Sequence, residues 1–273
     1  MSGMTTAPVT LAGETFTFDG ATTYVMAVVN LSPESRVAHS VVGSPAEALE
    51  RARAYRDLGA SIIDLGAQSS HFENRELDPA EELDRLLPAL ELLVADGFVV
   101  SVDSWKPEVM AAALDAGAAI VNDTGGLQDP AMVATVAAHD APAIAMYIEG
   151  ANPLTVDQLT FTGDGAASVI DRFRTRIDAL AAQGITNLVL DPGLSINYRS
   201  DYEEYGRHQI RVIRSLEALR ALGYPVLVPV PRKADFHRML TYLVLSIEHR
   251  ADIIRVHDVD VACDLVSLLG RAR

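Results

Sequence analysis

The chain has 273 residues, of which 49% are hydrophobic, and 37 acidic side chains outnumber 22 lysines and arginines for a formal net charge of −15. That length and apolar content suit one large α/β domain, residues 1–273, with a sizeable core. So acidic a surface disfavours nucleic acid and anionic membranes as partners, although a local pocket can still be basic.

Residues 1–8 lack a basic segment followed by an apolar core, so no signal peptide is expected. Residues 9–18 alternate in polarity around Ala12-Gly13-Glu14 and predict a β-hairpin that could cover the amino-terminal mouth of a barrel. Eight short, β-branched-rich runs follow, at 24–30, 61–65, 99–103, 119–123, 143–147, 188–191, 225–230 and 253–257. Amphipathic helical stretches separate them, among them 45–58, 81–94 and 106–116. The last has Asp103-Ser104 as a cap candidate and Pro107 in its first turn, where a missing N–H costs nothing. Gly59, Gly117, Gly184 and Gly223 stand where helices close just before the next strand.

Alternating strands and helices argue for a closed parallel (β/α)8 TIM barrel. An open doubly wound sheet is the alternative, weakened because no Gly-x-Gly-x-x-Gly run follows the first strand. No apolar run reaches the roughly 18 residues that span a bilayer. The lone cysteine, Cys263, cannot form an internal disulfide, which agrees with a cytoplasmic setting. It lies in an apolar helical stretch, 259–269, as an expected buried, inert thiol.

Polar residues terminate the strands. Asn30 ends the first, Asp103 the third, Asn122-Asp123 the fourth and Asp191-Pro192-Gly193 the sixth. Arg232-Lys233 follow the seventh, and Arg255, His257 and Asp258 belong to the eighth. In a barrel these ends converge on one mouth, where active sites are built. Any one Asp or Asn could simply cap the next helix. Capping does not call for Lys233, Arg255 and His257 beside the acids.

The order and context of these residues resemble the dihydropteroate synthase family, within the pterin-binding barrels, from about residue 25 to residue 261. Ser101-Val-Asp-Ser-Trp-Lys106 resembles the family's Ser-Val-Asp-Thr-x-Lys, and Ile120-Val-Asn-Asp-Thr124 its Ile-Asn-Asp. Leu190-Asp-Pro-Gly193, Arg232-Lys233 and Arg255-Val-His-Asp258 are similar to its Asp-Pro-Gly, Ser-Arg-Lys and Arg-Val-His-Asp.

The resemblance implies a transferase of folate biosynthesis. It condenses 6-hydroxymethyl-7,8-dihydropterin pyrophosphate with the aromatic amine p-aminobenzoate. Asp103, Asn122, Asp191 and Met146 would bind the pterin, with Lys233 and Arg255. Lys233, Arg255 and His257 would be catalytic. Ser70, His71, Arg232 and His257 would serve the pyrophosphate and acceptor, and Asn30 would sit near a Mg2+ ion. A homodimer through barrel helices is also implied.

Several loops depart from the family pattern. After the first strand, Asn-x-Thr-Pro-Asp-Ser-Phe-Ser-Asp-Gly-Gly becomes Asn30-Leu-Ser-Pro-Glu-Ser35 and then Arg36-Val-Ala-His-Ser40. After the second, Gly-Gly-Glu-Ser-Thr-Arg-Pro-Gly becomes Gly66-Ala-Gln-Ser-Ser-His-Phe-Glu73, so Gln68 replaces a Glu and His71 an Arg. A histidine is only partly charged at neutral pH and lacks the bidentate phosphate fork. After the sixth, Gly-Phe-Gly-Lys becomes Ser195-Ile-Asn-Tyr198; on the fifth, Met146-Tyr147 replaces Met-His; after the seventh, Pro231 replaces the Ser before Arg-Lys and Asp235 an aromatic.

Two further readings therefore stand beside the synthase. One is a paralog with the pterin pocket but another acceptor or chemistry; the other is a non-catalytic pterin-binding protein. His39 and His71 read either as a replacement acid–base or phosphate pair or as exposed loop residues. His139, His208, His237 and His249 are expected on the surface. No zinc spacing occurs. Residues 198–205, polar and tyrosine-rich, read as either a helix start or a lid.

Overall fold

A computed structural model describes residues 9–35, 37–71, 73–156, 165–196, 198, 200–231 and 236–273. Strands β1 (Val9–Leu11) and β2 (Glu14–Phe16) form the expected hairpin, with Leu11 opposite Glu14 and Val9 opposite Phe16. Its two-residue loop places Ala12 at φ 47° and Gly13 at φ 84°, the paired left-handed backbone that matches strand twist in a tight hairpin.

Eight parallel strands then make the barrel: β3 (Tyr24–Asn30), β4 (Ile62–Gly66), β5 (Val100–Asp103), β6 (Ile120–Asp123), β7 (Ala143–Met146), β8 (Leu188–Asp191), β9 (Leu227–Pro229) and β10 (Ile253–Val256). Their order is β8-β7-β6-β5-β4-β3-β10-β9. The ring closes where Leu190 bridges Val226 and its N–H donates to Pro225 O at 2.8 Å. The closed barrel, not the open sheet, is the fold. Several strands are shorter than the runs read from the sequence because pairing stops before the last residue; Tyr147, Val230 and His257 lie just beyond.

Helices α1 (Pro45–Leu58), α2 (Pro79–Ala95), α3 (Pro107–Asp115), α4 (Pro130–His139), α5 (Gly165–Ala181), α6 (Tyr202–Arg214), α7 (Leu216–Arg220), α8 (Phe236–Glu248) and α9 (Val259–Leu268) surround the strands. Proline opens the first four, where it loses no helical hydrogen bond. Ser44 caps α1, and Asp78 with Glu81 forms a capping box on α2. Asp103 does not cap α3. Lys106 occupies the cap position without a side-chain bond, and Ser104 Oγ accepts from Lys106 N at 3.3 Å. Asp103 is thereby left to the barrel mouth.

Side-chain alternation sorts the strands into two cores. Val25, Ala27 and Val29 face outward, joining Ala48, Ala52, Leu86 and Leu90 of the surrounding helices. Tyr24, Ile62, Val99, Ile120, Ile144, Val189, Leu227 and Ile253 face inward as one layer, closed from below by Phe16 and Phe18. The hairpin thus plugs the amino-terminal mouth as expected. Two to four residues further along β4, β5, β6, β8 and β10, the same inward phase reaches Asp64, Asp103, Asn122, Asp191 and Arg255.

Among the described residues, no helix is long and apolar enough to cross a membrane. Cys263 is half-buried rather than buried, at an edge where α9 meets the core, and burial pushes its thiol up to about 11.

Candidate active site

Arg255 organises the carboxyl-terminal mouth. Its Nε donates to Asp64 Oδ2 and its Nη2 to Asp103 Oδ2, both at 2.6 Å. Asn122 Nδ2 donates to Asp64 Oδ1 at 3.1 Å, and Thr124 Oγ1 lies 3.3 Å from Asp103 Oδ1. Strands β4, β5, β6 and β10 are therefore tied through one buried network. Asp64 is 0% exposed and Asn122 2%. Asp191, at the end of β8, is also buried, and its Oδ1 accepts Gly193 N at 2.7 Å.

Three carboxylates face one guanidinium here, so the charges do not balance internally. Burial pushes Asp103 up to about 7, against the pull of Arg255, and Asp64 reinforces the rise. Burial likewise pushes Asp191 up to about 7, against the Gly193 N–H and Arg255. For Arg255 burial opposes the charge, but Asp64 and Asp103 more than offset it and hold the guanidinium protonated. The mouth thus holds three buried carboxyl groups against a single guanidinium, which pairs with Asp64 and Asp103. It suits a planar ligand edge carrying several N–H donors, to which a carboxylate can make two parallel bonds.

Asp64 is the main residue missed in the sequence. It hides inside the apolar run Ile62-Ile63-Asp64-Leu65, and the signal was its phase: two residues after inward-facing Ile62 it must point into the barrel.

Met146 belongs to an apolar wall with Ile148, Val156, Ile196, Tyr198 and Tyr205. Tyr205 is buried, with its hydroxyl 3.1 Å from Ile196 O, and Tyr198 Oη accepts Glu149 N at 2.9 Å. Residues 198–205 are therefore neither a free lid nor only a helix start: α6 begins at Tyr202, and the two flanking tyrosines are built into the rim.

The rewritten loop after β4 is tightly fastened. Gln68 Oε1 accepts Leu77 N at 2.6 Å, and its Nε2 donates to Ser69 O and Arg75 O. Lys106 Nζ reaches Glu82 Oε2 at 2.6 Å beneath it, a buried pair that sequence reading did not find. Ser70 is exposed. His71 is buried, with Nδ1 accepting Glu73 N at 3.2 Å, so it is not an exposed loop histidine.

In the loop after β3, Asn30 is half-buried and its Oδ1 accepts Ser32 N at 2.9 Å. Glu34 pairs with Arg85 of α2, which holds its carboxyl down at about 2. His257 follows β10, with Nδ1 3.0 Å from Ser40 Oγ. Arg232 and Lys233 lie outside the described residues.

Of the remaining histidines, His139 and His237 are exposed and His249 is half-buried. His208 is buried against Tyr205, contrary to expectation, because α6 turns that face inward; burial lowers its pKa to about 4. A cleft of about 410 Å³ between α6 and α8, lined by Arg207, Arg211, Arg214 and Arg238, lies on the barrel's outside, away from the strand ends.

A family profile described as pterin binding enzyme matches residues 26–257. The dihydropteroate synthase of Synechocystis sp. is 32% identical over 270 residues, covering 93% of this chain and 91% of that protein. That of Bacillus subtilis is 31% identical over 254 residues, covering 87% and 84%. Among solved structures, Yersinia pestis dihydropteroate synthase with a sulfonamide drug complex superposes with a TM-score of 0.83 at 27% identity, over 96% of this chain and 97% of that one. The Xanthomonas albilineans enzyme with 4-aminobenzoic acid gives 0.82 at 27% identity, over 96% of each chain. The chain belongs to the dihydropteroate synthase family of pterin-binding enzymes.

Proposed function

We propose that this protein is a dihydropteroate synthase, a transferase joining 6-hydroxymethyl-7,8-dihydropterin pyrophosphate to p-aminobenzoate, with residues 1–273 as one catalytic domain. The observation that carries this reading is the buried network of Asp64, Asp103, Asn122 and Arg255, with Asp191 across the mouth. Relatives named as synthases, and a Xanthomonas albilineans synthase solved with 7,8-dihydropteroate, support it.

In this reading Asp103, Asn122 and Asp191 accept and donate along the amide edge of the pterin, and Met146 packs against the ring. Lys233 contacts a ring oxygen or nitrogen, and Arg255 lies against the ring and, with His257, faces the departing group. The methylene C–O bond breaks heterolytically, and its electron pair leaves with pyrophosphate. The resulting cation is delocalised into the ring. The amine nitrogen then attacks the methylene carbon to form the C–N bond and loses a proton. The protein's share is to hold the ring in line and to stabilise the departing anion. Ser70, His71 and Arg232 belong to the loops facing pyrophosphate and acceptor.

Mg2+ fits this arrangement through Asn30. Its amide oxygen has one lone pair engaged by Ser32 N and one remaining. No cluster of three metal-ligating side chains occurs among the described residues. Mg2+ habitually takes one or two protein oxygens together with substrate phosphates. When bound, the ion would neutralise charge on the pyrophosphate. A homodimer through barrel helices is part of the same proposal, and sedimentation equilibrium measures it.

The test is incubation with the dihydropterin pyrophosphate, Mg2+ and p-aminobenzoate, following pyrophosphate and dihydropteroate. Equal release of both is expected. Absence of pterin binding by calorimetry ends the reading. The buried His71, in place of the arginine of the family pattern, favours as second reading a paralog with another acceptor. Pyrophosphate release without condensation would select it.

A further inference from the structure

We infer that the turn after β3 completes the anion end of this pocket with two side chains of its own: Ser40 as a positioning residue for His257, and His39 as a second imidazole beside it. The identity of the anion as pyrophosphate rests on the synthase reading; the geometry does not.

Residues Ala38–Ser40 form a single 3₁₀ turn, where the family pattern has Asp-Gly-Gly and so no side chain at the last two positions. Ser40 is 0% exposed. Its Oγ lies 2.9 Å from Val37 O and 3.0 Å from His257 Nδ1. A carbonyl only accepts, so the single hydroxyl hydrogen goes to Val37. Oγ must then accept from His257, which places a proton on Nδ1. That bond sets both the tautomer and the ring plane of His257, as a partner on one ring nitrogen does for a histidine whose other nitrogen works. The Nε2 edge is turned away from Ser40.

His39 lies beside this ring. The two imidazoles meet edge to face, with centroids 6.5 Å apart and planes at 76°. His39 Nε2 is 3.5 Å from Asp258 Oδ1, at the start of α9. From α1, Arg51 Nη1 donates to the His39 carbonyl and anchors the turn, while Glu47 lies one helical turn back on Arg51. The His39 side chain remains 42% exposed, so an anion can reach it.

The arrangement also accounts for the histidine at position 71. A phosphate-binding charge is missing from the loop after β4, where His71 is buried and occupied with Glu73. The turn after β3 places a second imidazole, His39, beside His257 at that end. The anion end is rebuilt rather than lost.

The experiment is calorimetric titration of the full-length protein with inorganic pyrophosphate and Mg2+ at pH 7. The proteins are wild type, His39→Ala, Ser40→Ala, His257→Ala and the Ser40→Ala/His257→Ala double variant, with 6-hydroxymethylpterin as a control ligand. His39→Ala should weaken pyrophosphate about tenfold and leave the pterin unchanged. Ser40→Ala should weaken pyrophosphate about fivefold, and the double variant should be no worse than His257→Ala alone, because Ser40 acts only through that ring. In turnover, both single variants should raise KM for the pyrophosphate ester more than they lower kcat.

Wild-type affinity in both His39→Ala and Ser40→Ala would overturn the inference while leaving the synthase reading intact. So would additive losses in the double variant, for the Ser40 part. Failure of wild type to bind pyrophosphate or the pterin would remove the reading and the inference together. His39 is exposed enough that its variant folds, so a Ser40→Ala protein that fails to fold still leaves the His39 arm decisive.

Discussion

Arg255 on β10 reaches past β3 to Asp64 on β4, with Nε 2.6 Å from Oδ2, although 191 residues separate them in the chain. Asp64 is fully buried, and its other oxygen holds the Asn122 amide. One carboxylate therefore orients both a cation and an amide of the barrel mouth, without standing at a strand end itself.

Asp64→Asn should show that dependence. The change keeps the shape but leaves Arg255 with Asp103 alone and Asn122 facing a second amide. Breaking one partner of a buried pair typically costs about 3 kcal/mol. Urea unfolding at pH 7 should show a loss of that order, and calorimetry a fall of at least tenfold in pterin affinity. A variant with wild-type affinity would mean that Arg255 and Asn122 are oriented by other contacts.

The raised pKa of Asp191 sets a pH dependence with a definite sign. Its carboxyl moves from an ordinary 3.8 up to about 7 because of burial. A carboxyl that holds its proton more tightly when folded contributes stability that is present at low pH and lost as pH rises from about 4 to about 7. Asp191→Asn should therefore match wild type in stability below pH 4 and exceed it above pH 7. Pterin affinity should run the other way. In wild type it should rise between pH 6 and 8 as the carboxylate ionises and becomes a better acceptor, while Asp191→Asn should bind weakly and without that rise. Asp191→Ala should abolish pterin binding with the fold intact. Parallel pH profiles for wild type and Asp191→Asn would sink the assignment.

What could be read in advance follows from periodicity. Strands of alternating phase and helices opened by proline and closed by glycine specify the barrel locally, and Asn30, Asp103, Asn122, Asp191 and Arg255 stand where a strand stops. Asp64 was missed because an acid inside an apolar run looks like a flaw until its inward phase is counted. His208 was misplaced because a single polar residue on a helix does not reveal which face packs. The burial of His71 and of Ser40 could not be read. Their burial depends on a loop folding back on itself through Gln68 or onto β10, and neither contact leaves a local pattern.

The hairpin loop offers a check on the fold alone. Ala12 sits at φ 47°, where an L-residue with a Cβ costs roughly 1 kcal/mol and asparagine or glycine much less. Ala12→Asn should raise the urea midpoint by an amount worth about 0.5–1 kcal/mol and leave turnover unchanged. Destabilisation would show that the turn is not built on paired left-handed residues.

Lys106 and Glu82 tie the loop after β4 to the barrel, and a double-mutant cycle measures how. The pair is 2.6 Å apart and almost wholly buried, and Lys106 also lies 3.5 Å from Gln68 Oε1. Removing one charge strands the other in a medium where it is poorly solvated, so Glu82→Leu and Lys106→Met should each cost about 3 kcal/mol. Removing both leaves an apolar contact of similar volume, and the double variant should be more stable than either single one. Gln68 should still clamp the loop through Leu77 N, because that bond does not pass through the pair. Pterin affinity in the double variant should consequently fall by less than in either single variant. If the two stability losses instead add, the charges are not coupled, and the loop is held by its other bonds, those of Gln68, Asn74 and Trp105.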